Sequence, residues 1–221
     1  LCIDSEFTYE FVDTVIGELA ELTPGPYIHV GGDEADATDP ADYQMFMERV
    51  AGIVESHGKT LVGWDEMGTA PVGEDAVLQH WRWEDDAIAA AEQGMDVVMS
   101  PAWVAYLDMK HAEHLQGNRW AGVIDSRVAY EWDPLTVVDG LPDDAVVGVE
   151  APLWTELVSD RERMQQMLLP ACRATPSWVG RQLRAGRGTS TGRGWRASDL
   201  AGRHPAGATP RTLWSPGPSS R

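Results

Sequence analysis

The chain has 221 residues, of which 43% are hydrophobic, so it is long enough to bury the core of one domain. Residues 1–170 carry 34 Asp/Glu against 8 Lys/Arg, whereas residues 171–221 carry nine Arg and a single acid, Asp199. The strong negative charge of residues 1–170 argues against nucleic acids and anionic membranes as partners. No apolar run is long enough to span a bilayer.

The two cysteines, Cys2 and Cys172, are too few for a disulfide framework or a cysteine metal cluster. No signal peptide is visible, and the chain begins at Leu1 rather than at a methionine. Localisation therefore stays open, and a signal peptide encoded upstream would make the protein secreted.

The first predicted elements are a helix and a buried strand. Large apolar side chains recur at helical spacing, at Phe7, Phe11, Val15 and Leu19, and this helix is expected to end near Thr23-Pro24-Gly25. The next strand opens the octapeptide Tyr27-Ile28-His29-Val30-Gly31-Gly32-Asp33-Glu34. Because adjacent carboxylates oppose each other's ionisation, one can serve as an acid while the other stays an anion. The alternative interpretation is an exposed acidic turn.

Strands and helices then alternate along the chain. A second helix begins at Asp39-Pro40, an N-cap followed by a first-turn proline, and Gly58 ends it. Further strands are predicted over Lys59–Trp64, Ala76–His80, Asp96–Ser100 and Ala145–Val149, with a short helix from Asp85 to Gln93. This order predicts an α/β fold of parallel βαβ units, as in a (β/α)₈ barrel, whose active site lies at the C-terminal ends of its strands.

Five separated motifs carry polar and aromatic residues just after these strands. They are His29-Val30-Gly31-Gly32-Asp33-Glu34, Trp64-Asp65-Glu66, His80-Trp81, Tyr106-Leu107-Asp108 and Trp154-Thr155-Glu156. In content and order the set resembles glycoside hydrolase family 20, the β-N-acetylhexosaminidases, over about residues 1–170. The resemblance implies a partial (β/α)₈ TIM barrel in which strands 4 to 8 are present and the first three are missing.

The resemblance also implies a reaction, the hydrolysis of terminal β-linked GlcNAc or GalNAc residues with retention of configuration. In this family the acetamido oxygen of the sugar attacks the anomeric carbon, so the enzyme supplies no nucleophile. By resemblance, Glu34 is the general acid and later the base, Asp33 orients the acetamido nitrogen, and Tyr106 donates a hydrogen bond to the acetamido oxygen. The expected partners are amino-sugar glycans, and we expect no metal and no cofactor.

The remaining candidate residues are expected to bind the sugar. Tryptophans would enclose the acetamido methyl group and the sugar face: Trp64, Trp81 and Trp154. Acids would bond the outer hydroxyls: Asp108 and Glu156. The alternatives are core packing for each tryptophan and a solvated loop position for each acid. Two further tryptophans, Trp120 and Trp132, are candidates for a leaving-group subsite, although their spacing is not diagnostic.

The histidines are expected to be structural. His29 is expected to form hydrogen bonds beneath the site rather than to act in catalysis. His111 and His114 lie three residues apart on a predicted helix, but no third ligand is evident, which favours a solvated face over a metal site.

The amino-acid composition of the chain changes after Pro170. Residues 171–221 hold eight Gly, five Pro and six Ser but no Ile, Phe or Tyr, which predicts a disordered basic tail. A sharper hypothesis is a reading-frame shift at the Pro170 codon, because one choice of codons read one base earlier gives a helical continuation. The predicted units are therefore a partial catalytic barrel over 1–170 and a tail over 171–221.

Two classes of function follow from these observations. The adjacent acids Asp33 and Glu34 favour an enzyme, since a protein that only binds sugar has no use for a protonated acid. The expected absence of three barrel strands favours a fragment that binds carbohydrate without turnover, or one that has no function.

Overall fold

The computed structural model describes residues 1–173, with side chains as far as Leu169. The helices are α1 (Glu6–Leu22), α2 (Pro40–Ser56), α3 (Glu84–Glu92), α4 (Ala102–Ala105), α5 (Ser126–Glu131) and α6 (Arg161–Arg173), with a 3₁₀ helix at Asp65–Thr69. The strands are β1 (Tyr27–His29), β2 (Thr60–Trp64), β3 (Val77–His80), β4 (Asp96–Met99), β5 (Met109–Lys110), β6 (Asn118–Val123) and β7 (Val146–Val149).

Five strands form one parallel sheet in the order β1-β2-β3-β4-β7. These are the five strands predicted from the sequence, so the α/β class with parallel βαβ units is confirmed. Because the strands are parallel, their C-terminal ends meet at one edge of the sheet. The motifs that follow the strands are therefore brought to the same edge.

Local sequence explains where the connecting helices begin and end. The Asp39 side chain caps α2 by accepting a hydrogen bond from the backbone N–H of Ala41, and Pro40 occupies the first turn. After α2 the chain reverses at Gly58, whose φ of +69° favours glycine. Three acids in the first turn of α3 lie where a helix dipole favours negative charge.

The helices and the sheet enclose an apolar core. Its central members come from both layers and include Ile16 of α1, Val50 and Val54 of α2, and Leu78 and Val97 of the sheet. A second, smaller cluster lies beyond the strand ends and includes Trp64, Trp81, Tyr106 and Ile124. The first cluster holds the layers together, and the second lies under the candidate site.

The predicted helix α1 is present, but its stripe of large apolar residues faces outward. Phe7 is 73% exposed and Leu22 is 78% exposed, and Phe11, Val15 and Leu19 between them are exposed too. The buried side of α1 is formed instead by Thr8, Tyr9 and Ile16. Beside α1, strand β1 pairs only with β2 among the described residues.

Several elements were not predicted. Strands β5 and β6 form a separate two-stranded parallel pair, and α4, α5, α6 and the 3₁₀ helix lie in segments without a sequence assignment. The prediction that His111 and His114 lie on a helix is wrong, because both are in the irregular segment between β5 and β6. His111 contacts two carbonyl oxygens, 3.1 Å from that of Ile124 and 3.0 Å from that of Met167, so it joins two segments.

The end of the described chain is helical. Helix α6 continues through the predicted boundary at Pro170 to Arg173. The first three residues of the predicted tail, 171–173, are therefore helical, and the rest of the predicted disordered or frame-shifted tail lies outside the described part of the chain. Within residues 1–173 no helix combines the length and the apolar character needed to cross a membrane.

Candidate active site

The turn after β1 presents the two adjacent carboxylates. Gly31 and Gly32 have φ values of +79° and +96°, and Glu34 has +51°. The Tyr43 hydroxyl donates a hydrogen bond of 2.9 Å to the Gly32 carbonyl oxygen, and a Cβ at Gly32 would lie only 2.8 Å from that hydroxyl. The turn therefore needs glycine at position 32, and it leaves Asp33 and Glu34 exposed.

Glu34 has neighbours of both charges. Its side chain is 62% exposed, and one of its carboxylate oxygens lies 3.5 Å from Nη1 of Arg82. Its backbone N–H donates a 3.0 Å hydrogen bond to Oε1 of Glu66. The Glu34 carboxylate is therefore accessible to a ligand, while the Glu66 side chain holds the Glu34 backbone.

Asp33 lies near enough to Tyr106 for its negative charge to act on the phenol. Burial raises the pKa of Tyr106 far above its usual value, and the negative charges of Asp108, Asp65 and Asp33 act in the same direction. A hydrogen bond with the Trp154 side chain acts in the opposite direction. Tyr106 therefore stays protonated at neutral pH and is available as a hydrogen-bond donor.

The Tyr106 ring and four indole rings form one group of contacts, which we call the aromatic cluster: Trp64, Trp81, Tyr106, Trp120 and Trp154. Tyr106 is stacked on Trp81, with ring centroids 6.5 Å apart and planes 13° apart. Neighbouring centroids in the cluster lie between 5.8 and 6.5 Å apart. Trp64 and Trp81 are buried, whereas Trp120 and Trp154 are exposed. The cluster therefore has a buried floor and an open rim of indole rings.

Trp120 and Trp132, the two candidates for a leaving-group subsite, have different surroundings in the structure. Trp120 lies on β6 and belongs to the aromatic cluster, with its ring 5.9 Å from Trp81 and 5.8 Å from Tyr106. Trp132 packs against the main apolar core. Only Trp120 therefore remains beside the candidate site.

The two predicted sugar-binding acids differ in their surroundings. Asp108 is only 1% exposed, and its carboxylate accepts hydrogen bonds from Asn118 Nδ2 at 3.0 Å and from the Trp154 backbone N–H at 3.4 Å. Burial raises the pKa of Asp108, and the negative charge of exposed Glu156 raises it further. The structure thus brings Asp108, Glu156 and Trp154 together, and binding of sugar hydroxyls by the two acids stays a prediction.

His29 has a structural environment. Its Nδ1 accepts a 3.1 Å hydrogen bond from the Gly31 backbone N–H, and its ring lies 5.0 Å from Trp64. His29 is exposed as a residue, but partial desolvation of its ring by its neighbours lowers its pKa, which favours the neutral ring that this bond requires. The hydrogen bond agrees with the expected structural role of His29, whereas its exposure gives no support for a position beneath the site.

Asp65 holds the loop after β3 in place. The sequence alone did not suggest this role for Asp65. The fully buried Asp65 carboxylate accepts hydrogen bonds from three successive backbone N–H groups, those of Trp81, Arg82 and Trp83. Its other oxygen lies 2.9 Å from Nδ1 of His80, which is also fully buried. Asp65 therefore fixes the backbone that carries Trp81. The placement of Asp65 and Glu66 directly after a buried strand was the available sign.

The described residues contain no group of three or more His, Cys, Asp or Glu side chains arranged to hold a metal ion. What this edge of the sheet can offer is proton transfer by an exposed carboxyl, an anion beside it, a phenolic donor and an aromatic surface. Aromatic surfaces with a few polar groups suit the apolar faces and hydroxyl edges of sugars.

Comparisons with known proteins agree on one family. The family model described as "Glycosyl hydrolase family 20, catalytic domain" matches residues 1–178. A β-N-acetylhexosaminidase of Cellulomonas fimi is 40% identical over 185 residues, which cover 81% of this chain and 37% of that protein.

Solved structures give the same result. The β-N-acetylhexosaminidase of Streptomyces coelicolor A3(2) has a TM-score of 0.75 and 44% identity, over 79% of this chain and 37% of that one. The enzyme of Streptomyces plicatus, solved in complex with Thio-NAglucal, has the same TM-score and coverage at 45% identity. The chain thus spans about 37% of the length of these relatives.

Proposed function

Because this chain belongs to glycosyl hydrolase family 20, we propose that it supplies part of a catalytic domain that hydrolyses terminal β-linked N-acetylhexosamine residues. The observation that carries the proposal is the position of exposed Asp33 and Glu34 at the strand edge where Tyr106 and the aromatic cluster also lie. The proposed substrates are amino-sugar glycans that end in GlcNAc or GalNAc.

Glu34 is the proposed general acid and base. In the first step it donates its proton to the glycosidic oxygen while the acetamido oxygen of the sugar attacks the anomeric carbon, and the leaving group departs. In the second step the Glu34 carboxylate removes a proton from water, which opens the oxazolinium ion at the same carbon. The exposure of its side chain supports this role, because the carboxyl has open access to a ligand.

Asp33 and Tyr106 are proposed to act on the two ends of the acetamido group. The Asp33 anion stabilises the N–H as positive charge develops on the amide, and the Tyr106 hydroxyl donates to the oxygen and aligns it for attack. The raised pKa of Tyr106 supports this assignment, because only the protonated phenol can donate.

The aromatic cluster and two acids are proposed to bind the sugar. Trp64, Trp81 and Trp154 enclose the acetamido methyl group and the sugar face, and Asp108 and Glu156 bond the outer hydroxyls. The contacts among the three indoles and Tyr106 support a single pocket. At the level of the fold, the five parallel strands are proposed to be strands 4 to 8 of a (β/α)₈ barrel.

Replacing Glu34 by glutamine tests the proposal. The amide keeps the shape of the side chain but cannot donate a proton, so we expect hydrolysis of 4-nitrophenyl N-acetyl-β-glucosaminide to fall by about 100-fold or more. The matched control is Glu55→Gln, at the end of α2 that leads to the opposite edge of the sheet. Equal rates for the wild-type chain and Glu34→Gln would refute the catalytic role.

A second candidate function is carbohydrate binding without turnover, which is favoured by the exposed rim formed by Trp120 and Trp154. Calorimetry separates the two functions. A catalytic site is complementary to the transition state. It should therefore bind a bicyclic thiazoline, a stable mimic of the oxazolinium ion, much more tightly than it binds free GlcNAc. A protein that only binds sugar should bind the thiazoline no more tightly than GlcNAc.

A further inference from the structure

The backbone of Glu34 is held in an unfavourable conformation. Glu34 is the only non-glycine residue with positive φ in the part of the chain that the structure describes. A side chain with a Cβ rarely occupies this region unless its surroundings fix it there. The direct contact to its backbone N–H comes from Glu66, whose Oε1 accepts that hydrogen bond at 3.0 Å.

Glu66 connects Glu34 to the rigid part of the fold that follows β2. It is the second residue of the 3₁₀ helix that follows β2, and its side chain is only 17% exposed. Its second oxygen, Oε2, accepts a hydrogen bond from the indole N–H of Trp81 at 3.3 Å. One carboxylate therefore joins the backbone of the proposed acid to the floor of the aromatic cluster.

Arg82 braces this carboxylate from the other side. Its Nη2 lies 3.8 Å from Oε1 of Glu66, and its Nη1 lies 3.5 Å from Oε1 of Glu34. The guanidinium carbon lies 4.4 Å from the ring centroids of both Trp81 and Trp83, so stacking limits its movement. The Arg82 cation thus lies between the two carboxylates and offsets their mutual repulsion.

We propose that Glu66 is a positioning residue for Glu34, and that its carboxylate holds the acid in its left-handed backbone conformation at a fixed place relative to Trp81. This rests on the proposed function of Glu34. The direction of the Cα–Cβ bond follows from the backbone dihedrals, so the contact sets the base from which the Glu34 side chain extends and limits where its carboxyl group can point. A small error in that direction is costly, because proton donation requires the acid within hydrogen-bond reach of the glycosidic oxygen.

The kinetic test uses the full chain with Glu66→Ala and two aryl N-acetyl-β-glucosaminides. Phenolate is a poor leaving group that needs the proton, whereas 2,4-dinitrophenolate leaves without much help. Because kcat/KM reports the first, bond-breaking step, Glu66→Ala should lower it about 10-fold or more for the phenyl glycoside and less than about 3-fold for the dinitrophenyl glycoside. Equal losses on both substrates would show a merely structural role and overturn the proposal.

Two further variants complete the kinetic test. Glu66→Gln keeps one oxygen to accept the Glu34 N–H, so its kcat/KM on the phenyl glycoside should lie between those of the wild type and Glu66→Ala. It also serves if Glu66→Ala fails to fold. Glu55→Ala, an exposed acid at the end of α2, is the control and should change neither rate. A Glu66→Gln rate no higher than that of Glu66→Ala contradicts a role through this hydrogen bond.

A second measurement needs no turnover. The Glu34 amide, assigned by NMR, should exchange its hydrogen about 5-fold faster in Glu66→Ala than in the wild type, because its acceptor is gone. An unchanged exchange rate overturns the proposal. If the wild-type chain hydrolyses neither glycoside, the proposed function fails, while the exchange rate still decides whether Glu66 holds Glu34.

Discussion

Single residues determine the shape of the turn that carries the carboxylates. Positive φ costs a residue with a Cβ about 1–2 kcal/mol, and glycine avoids that cost at positions 31 and 32. At Gly32 there is also no room, because Tyr43 donates its hydroxyl hydrogen to the carbonyl oxygen of the same residue. The turn thus requires glycine at position 32 for two reasons, the positive φ and the lack of room for a side chain beside the Tyr43 hydroxyl.

We expect Gly32→Ala to destabilise the protein by about 2 kcal/mol. The new Cβ would lie 2.8 Å from the Tyr43 hydroxyl in a backbone that already has a φ of +96°. The free energy of unfolding from urea titration measures this cost.

Gly52→Ala is the matched control for that experiment. Gly52 lies inside α2, and a Cβ built there meets no atom within 4 Å. Because alanine is the better helix former, this change should stabilise the protein by about 0.5–1 kcal/mol. Loss of stability of similar size in both variants would contradict the conformational explanation.

Much of the candidate site was predictable residue by residue, because its motifs are short and contiguous. Asp33 and Glu34 were found from the paired glycines after a buried strand, and Tyr106 through the resemblance of Tyr106-Leu107-Asp108 to a motif of the family. The contacts of Asp108 were not predictable, since Asn118 and Trp154 lie 10 and 46 residues away in the sequence. The hydrogen bond from Glu34 to Glu66 spans 32 residues, and its donor is a backbone group that sequence patterns do not reveal.

At the scale of elements, one buried carboxylate joins the 3₁₀ helix after β2 to the loop after β3. Asp65 accepts from three successive backbone N–H groups that have left the ladder of the sheet. Buried N–H groups without an acceptor are costly, so this side chain determines the path of the loop. The loop in turn positions Trp81 under Tyr106.

We expect Asp65→Ala to cost about 3 kcal/mol or more of the free energy of unfolding, because three backbone donors would lose their acceptor. Denaturant titration measures this loss. Asp36→Ala removes an exposed carboxylate from the turn after Glu34 and should change stability by less than about 0.5 kcal/mol. A loss below about 1 kcal/mol in Asp65→Ala would show that the loop does not depend on this side chain.

The elements differ in how well the sequence predicts them. The five sheet strands were found because apolar segments lie between clear helix starts and stops, such as Asp39-Pro40 and Gly58. Strand β5 has only two residues, too few to show a periodicity, and so the β5-β6 pair was missed. Periodicity does predict helix α1, yet it does not reveal which side of the helix the rest of the fold covers.

For the molecule as a whole, the main feature is the exposed apolar side of α1. Phe7, Phe11, Val15, Leu19 and Leu22 form a continuous line along the helix and all are exposed. Contiguous apolar surface of this kind promotes association, and within the described residues β1 beside it has one strand partner, β2.

We expect the chain to self-associate at micromolar concentration and the double variant Phe7→Ser/Phe11→Ser to sediment as a smaller species. Because both side chains are exposed, the free energy of unfolding should change by less than about 1 kcal/mol. Sedimentation velocity measures the association. Unchanged sedimentation of the double variant would contradict a role for this surface.

The control for that variant lies on the opposite side of the same helix. Ile16→Ser places a hydroxyl in the apolar core and should cost about 3 kcal/mol of stability. Comparing the two variants separates surface association from loss of folding.

The close contacts among the aromatic rings have an optical consequence. Indole groups separated by about 6 Å couple electronically, and the Trp64–Trp154 and Trp81–Trp120 pairs both meet this condition. Four of the ten tryptophans of the chain therefore contribute to the near-ultraviolet circular dichroism from the place where a ligand would arrive. Occupancy there should be readable from intrinsic chromophores, without a label.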